Sequence, residues 1–82
     1  MDPIQVLEEI NQVFQEILEK PDLRLRAEDT AADIDGWDSL SHMRLIGGIE
    51  KRYGIKFKLK EMMAFRSVGD ICRTVQEKTS TS

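Results

Sequence analysis

The chain has 82 residues and a single cysteine, carries a formal net charge of −3, and is 40% hydrophobic and 33% charged. A mildly acidic chain lacks the cationic footprint that nucleic-acid backbones select, and it offers little attraction to anionic lipid. A lone cysteine forms no intramolecular disulfide and leaves a Cys-based zinc site without its ligands.

The size suits a single domain spanning 1–82, with the composition of an ordinary helical protein. No segment reaches the length of a membrane span, so no membrane insertion is expected. The N-terminus, MDPIQVLEEI, has no basic stretch ahead of an apolar one. No signal peptide is therefore expected, and the expected location is cytoplasmic.

Asp2-Pro3 opens the first helix, Asp as N-cap and Pro where its missing N–H costs nothing. Ile4, Leu7, Ile10, Phe14, Ile17 and Leu18 recur at helical steps and predict the inner face, with the helix ending near Glu19 before Pro21. From Lys20 to Asp38 the periodicity fails. A long ordered loop is predicted there, pinned by Leu23, Leu25 and Ile34; loops of that length inside small domains are often functional.

A second helix begins at Asp38 or Ser39, runs to Tyr53 and stops at Gly54. Met43, Ile46, Ile49 and Tyr53, helped by Leu45, are its predicted inner face. Ile55 to Lys58 alternates like a strand but has no partner, so extended loop is expected. Leu59 to Phe65 makes one or two helical turns. Ser67 and Asp70 form a capping box for the last helix, whose stripe is Val68, Ile71, Cys72 and Val75. Residues 79–82 are expected to fray. The fold class is all-α: a small four-helix bundle, three main helices and one short one, with a long loop between the first two.

The chemistry gathers at Trp37-Asp38-Ser39-Leu40. Asp38 or Ser39 there serves as an N-cap. The same position also exposes a hydroxyl at a helix N-terminus, which favours the negative charge of a phosphate attached to it. Asp38 opposes that charge, and its roles would be to orient the serine or to help hold a divalent cation during transfer.

Asp38-Ser39-Leu40 resembles the D-S-L signature of acyl carrier proteins, and the likeness covers nearly the whole chain. Asp29-Thr30 lies upstream, Ile34-Asp35-Gly36-Trp37 leads in, and Met43, Ile46, Ile49 and Tyr53 fall at the family's apolar positions. YGIKF resembles the family's usual stop after the second helix, and Ser67-Val68-Gly69-Asp70-Ile71 the start of its last helix. The resemblance implies that Ser39 carries 4′-phosphopantetheine. A phosphopantetheinyl transferase would donate it from coenzyme A with magnesium, the metal serving the transferase and not bound stably here. The arm's thiol would carry acyl groups as thioesters between acyl-loading and acyl-processing enzymes. The chain itself would catalyse nothing and would act as a monomer.

Typical fatty-acid carriers present Asp and Glu on their second helix. Here that helix carries Ser41, His42, Arg44, Lys51 and Arg52, with Glu50 its only acid after Asp38. Charge complementarity steers docking, so a specialised stand-alone carrier is expected, serving fatty-acid-like, polyketide-like or other lipid synthesis. Trp37 also resembles such carriers, and equally suits packing where the loop meets the core. Leu40, His42, Met43, Arg44 and Gly47 are candidates for the face seen by arm and partners.

Two alternatives stand: a peptidyl or aminoacyl carrier, which usually has Gly-Gly-x-Ser at this site, and an unmodified helical interaction module. A Ser39–His42 catalytic pair lacks an orienting third group, and His42 reads as solvated or partner-facing. Gly47-Gly48 suits close helix packing or room for the arm. Met62 and Met63 suit core or an adaptable acyl cavity, and Cys72 an inert core position. Lys56, Lys58 and Lys60 read as a solvated face.

Overall fold

A computed structural model describes residues 2–80. Its helices are α1 (Pro3–Ile17), α2 (Ser39–Tyr53), α3 (Leu59–Ala64) and α4 (Val68–Ser80). Among the described residues there is no strand, only an isolated bridge between Thr30 and Ser67. Ile55 to Lys58 forms no strand or helix, as its lack of a partner predicts.

Asp2 caps α1 by accepting from the Ile4 N–H at 2.9 Å, with Pro3 in the first turn. At the other end Glu19 takes a left-handed conformation (φ 55°), and the Lys20 N–H closes on the Gln15 carbonyl at 2.9 Å. The inner face of α1 is Val6, Ile10, Val13 and Phe14. The expected stripe was one position out of phase at its start. Counting back from Phe14 in steps of four passes through Ile10 to Val6, about 100° round the helix from Leu7. Leu7 is therefore at the edge, and Ile4 is 68% exposed.

In α2 the buried positions are Ser41, Leu45, Ile46 and Ile49. Met43, expected inside, is 53% exposed, and Tyr53 is only partly covered. Here too the phase decides, because Ile46 and Ile49 carry back to Leu45, Ser41 and His42 and leave Met43 outside. Gly54 ends the helix in the left-handed region (φ 66°) and hands its N–H to the Glu50 carbonyl. Lys51 and Arg52 sit in the last turn, where cations complement the helix dipole.

Helix α1 packs against both α2 and α4. The α1–α2 contact needs a residue without a side chain. A Cβ on Gly48 would lie 2.9 Å from Val13 Cγ1, whereas one on its neighbour Gly47 would meet nothing within 4 Å.

The long loop is held by more than its apolar residues. Leu25 and Ile34 are buried and Leu23 partly so, as expected. In addition, the Asn11 side-chain amide donates to the Leu23 carbonyl and accepts from the Leu25 N–H at 2.8 Å. The Asp29 carboxylate, 5% exposed, accepts from the Arg26 backbone N–H. The loop's backbone then pairs with the start of α4, the Val68 N–H donating to the Asp29 carbonyl and the Gly69 N–H to that of Ala27.

Helix α3 buries no residue. Ser67 and Asp70 form the reciprocal cap of α4 that their spacing predicts: the Asp70 carboxylate accepts from the Ser67 N–H, and Ser67 Oγ accepts from the Asp70 N–H. Of the segment expected to fray, Thr79 lies within α4 and donates its hydroxyl to the Val75 carbonyl; residues 81–82 lie outside the described residues.

The paired glycines give a test. Gly47→Ala fills open space in a helix interior and should raise unfolding stability by about 0.5–1 kcal/mol. Gly48→Ala collides with the β-branched Val13 and should lower it by about 1–3 kcal/mol. Urea or thermal unfolding of the two variants against wild type should give that order.

Candidate functional site

The long loop ends in a tight approach to α2. Gly36 has φ +91°, a conformation a side chain would strain, and its carbonyl accepts from Ser41 Oγ at 2.7 Å. Trp37 is buried edge-on against Phe14, ring centroids 5.1 Å apart, and lies edge to edge with His42, the two rings 20° from coplanar. The chain then enters α2 through Asp38.

Asp38, not Ser39, is the N-cap. Its carboxylate accepts from the Leu40 N–H at 3.1 Å and the Ser41 N–H at 2.8 Å, while Ser41 Oγ accepts from the Asp38 N–H. The two residues cap each other's backbone. The hydrogen bond from the Ser41 N–H, with a lesser one from the Leu40 N–H, holds the Asp38 carboxyl below its ordinary range. Ser39, the first residue of α2, is exposed and its hydroxyl makes no hydrogen bond among the described residues. The cap reading of Ser39 is thereby answered: other residues do that work, and the hydroxyl is left unspent.

Ser39 opens on a groove of about 310 Å³ lined by Ala31, Trp37, Asp38, Ser39, His42, Met62, Met63, Phe65 and Arg66. The two methionines differ: Met62 is partly covered and packs against the core, Met63 is 77% exposed, and both border this groove.

The remaining candidates separate. Leu40 is 78% exposed, and Met43, Arg44 and Gly47 are also on the outer face of α2. His42 is not a solvated residue. It is half-buried, with Nδ1 3.0 Å from Trp37 Nε1 and Nε2 3.1 Å from the Met62 carbonyl oxygen. Its ring does not approach Ser39 as a base would, both nitrogens being engaged elsewhere. Cys72 is partly buried on α4, and burial pushes its thiol up to about 11, away from the reactive thiolate. Among the described residues no three metal-ligating side chains gather into a site, and no helix is long and apolar enough to cross a membrane.

The sequence missed Ser41 and the role of His42. Ser41 was legible, since Asp-x-x-Ser is a possible capping box. The contacts of His42 were not, because Met62 lies 20 residues away.

Residues 8–75 match the family described as the phosphopantetheine attachment site. The chain belongs to the acyl carrier protein family. The holo acyl carrier protein of Geobacter metallireducens, solved in solution, is 39% identical and superposes with a TM-score of 0.85, covering 92% of this chain and 86% of its own. A candidate acyl carrier protein from Mycobacterium tuberculosis is 29% identical, with a TM-score of 0.80 over 88% of this chain and 96% of its own. No curated protein sequence matches. Acyl carrier proteins carry acyl groups on covalently attached phosphopantetheine and are not enzymes.

In this acyl carrier protein the division of labour at the α2 start has measurable consequences. Ser39→Ala should change unfolding stability by less than about 0.5 kcal/mol, whereas Ser41→Ala should cost about 1–2 kcal/mol. The Asp38 carboxyl titrates lower in the folded protein than in the unfolded chain. Its contribution is therefore complete above the ordinary carboxylate range, about pH 4, and is lost as pH falls through the lowered value. Wild type should thus exceed Asp38→Asn in stability near neutrality, and the gap should close in acid.

Proposed function

We propose that Ser39 is the residue that carries 4′-phosphopantetheine. The observation that carries this reading is the unspent hydroxyl: Asp38 and Ser41 cap α2 between themselves, leaving Ser39 exposed at the helix N-terminus. The residues suit the group. The positive end of the helix dipole favours its phosphate, and Trp37, Met62, Met63 and Phe65 give an apolar wall beside the attachment point. In loading, the Ser39 oxygen would bond to the pantetheine-side phosphorus of coenzyme A. The pyrophosphate bond breaks, the nucleotide leaves as adenosine 3′,5′-bisphosphate, and the serine proton passes to the transferase or solvent. Once attached, the group supplies a thiol that holds acyl chains as thioesters.

The partner face on this reading is the outer side of α2: Leu40, Met43, Arg44 and Gly47, with Lys51 one turn on. Glu50, the only acid of that helix, has its carboxylate turned to the Phe57 N–H at 2.8 Å. That leaves a face with apolar and cationic character, which suits a phosphopantetheinyl transferase and acyl-processing enzymes whose docking patches are less basic than those met by acidic carriers. The protein reads as a specialised carrier acting as a cytoplasmic monomer in fatty-acid-like, polyketide-like or other lipid synthesis.

Intact mass spectrometry after incubation with coenzyme A, magnesium and a broad-specificity phosphopantetheinyl transferase tests the assignment. Wild type should gain one phosphopantetheine increment and folded Ser39→Ala none. A cognate transferase that leaves wild type unchanged would point to an unmodified interaction module.

A further inference from the structure

Both ring nitrogens of His42 face groups with only one role. Nδ1 lies 3.0 Å from the indole N–H of Trp37, which only donates, and Nε2 lies 3.1 Å from the Met62 carbonyl, which only accepts. One protonation state satisfies both, the neutral imidazole with its proton on Nε2. An imidazolium would set an N–H on Nδ1 against the indole N–H, donor against donor, while keeping the bond to Met62.

These two partners belong to the two sides of the groove beside Ser39. Trp37 ends the long loop and Met62 lies in α3. Helix α3 buries no residue, so its position depends on a few ties. Besides His42 there are the packing of Met62 against the core, the Phe65 ring against Phe57, centroids 5.4 Å apart, and the Glu61–Lys78 ion pair at 3.0 Å. His42 itself also meets Phe65 edge-on.

The charged groups that share the groove with His42 are Asp38 at the α2 start and Arg66 after α3. The carboxylate of α3, Glu61, is engaged by the Lys58 N–H and Lys78. From α1 it is Phe14, uncharged, that backs Trp37. Neither Asp38 nor Arg66 is hydrogen-bonded to the ring, whose two hydrogen bonds go to the neutral Trp37 and Met62 groups.

We propose that His42 is a positioning residue that ties Trp37 to α3 across the groove while neutral and releases Trp37 when protonated. The groove, and a group carried on Ser39 beside it, are thereby coupled to pH. The part concerning the carried group rests on the Ser39 assignment; the part concerning the walls does not.

The test is a pH titration of the ¹⁵N-labelled apo protein from about pH 8 to about pH 5, the range in which histidines change charge. The Trp37 indole N–H should exchange slowly with solvent at the upper end and at least about tenfold faster at the lower. The His42 ring and the α3 amides should shift at the same midpoint. Two variants split the tie. His42→Asn keeps an acceptor near the Nδ1 position, so the indole signal should stay protected and stop responding to pH. His42→Gln keeps a donor for Met62, so the indole should exchange fast at every pH while the α3 amides stay near their wild-type positions. An indole N–H indifferent to the titration of His42, or variants that titrate like wild type, would overturn the proposal.

An octanoyl form, made from octanoyl coenzyme A by a broad-specificity transferase, reads the carried group. Contacts from its acyl chain to Met62 or Met63 should be present at the upper pH and lost at the lower. Their persistence in acid would overturn the coupling to cargo. Failure of Ser39 to accept the group would overturn the attachment assignment, while the apo titration still decides the claim about the walls.

Discussion

The mutual capping of Asp38 and Ser41 is the interaction on which the site depends. A helix start leaves several backbone N–H groups without partners, and some side chain must meet them. Had Ser39 done so, its hydroxyl would be occupied and turned toward its own backbone. Because Asp38 accepts from Leu40 and Ser41, and Ser41 reaches back to Asp38 and Gly36, the intervening serine is held by its neighbours and consumed by none of them. Position comes from the frame and availability from the lack of a partner. Few arrangements give both in so short a stretch.

The frame extends outward from there. Trp37 enters the core against Phe14, so the loop's end is fixed to α1 one residue before the cap. Further back, Asn11 clamps the loop's first half and the Thr30–Ser67 bridge fixes its middle to α4. A segment without regular structure is thereby as tightly specified as the helices it joins. Its polar backbone is satisfied by turns within the loop, by Asn11 and Gln15 of α1, and by the α4 start.

Elements whose signals are local were legible in the sequence: the ends of α2 at Asp38 and Gly54, the Ser67–Asp70 cap, the short α3 and the hydroxyl at Ser39. The resemblance to acyl carrier proteins was carried by that local run together with the residues leading into it, the apolar positions of the second helix and the start of the last. What escaped was phase and distance. Ile4 and Met43 are apolar residues at helical spacing, and only the position of the neighbouring helix decides that Val6 goes inside in place of Ile4 and that Met43 does not join Leu45 there. Gly47 and Gly48 are identical letters, yet one faces solvent and the other Val13. His42 reads as surface until Met62 is brought beside it, and no periodicity connects residues in different helices joined by a loop.

The groove beside Ser39 is shallow and small, with a volume of about 310 Å³, and for a freely diffusing acyl compound such walls would be a poor receptor. Attachment changes the arithmetic. A short flexible tether holds its free end at an effective concentration in the millimolar range. On the assignment made for Ser39, walls that bind with only millimolar affinity would therefore be occupied about half the time. Weak walls then become an advantage, since a chain held that loosely is handed to a partner enzyme without a large free-energy cost. Cargo shelter and cargo release can share one surface because the covalent bond, and not the groove, prevents loss.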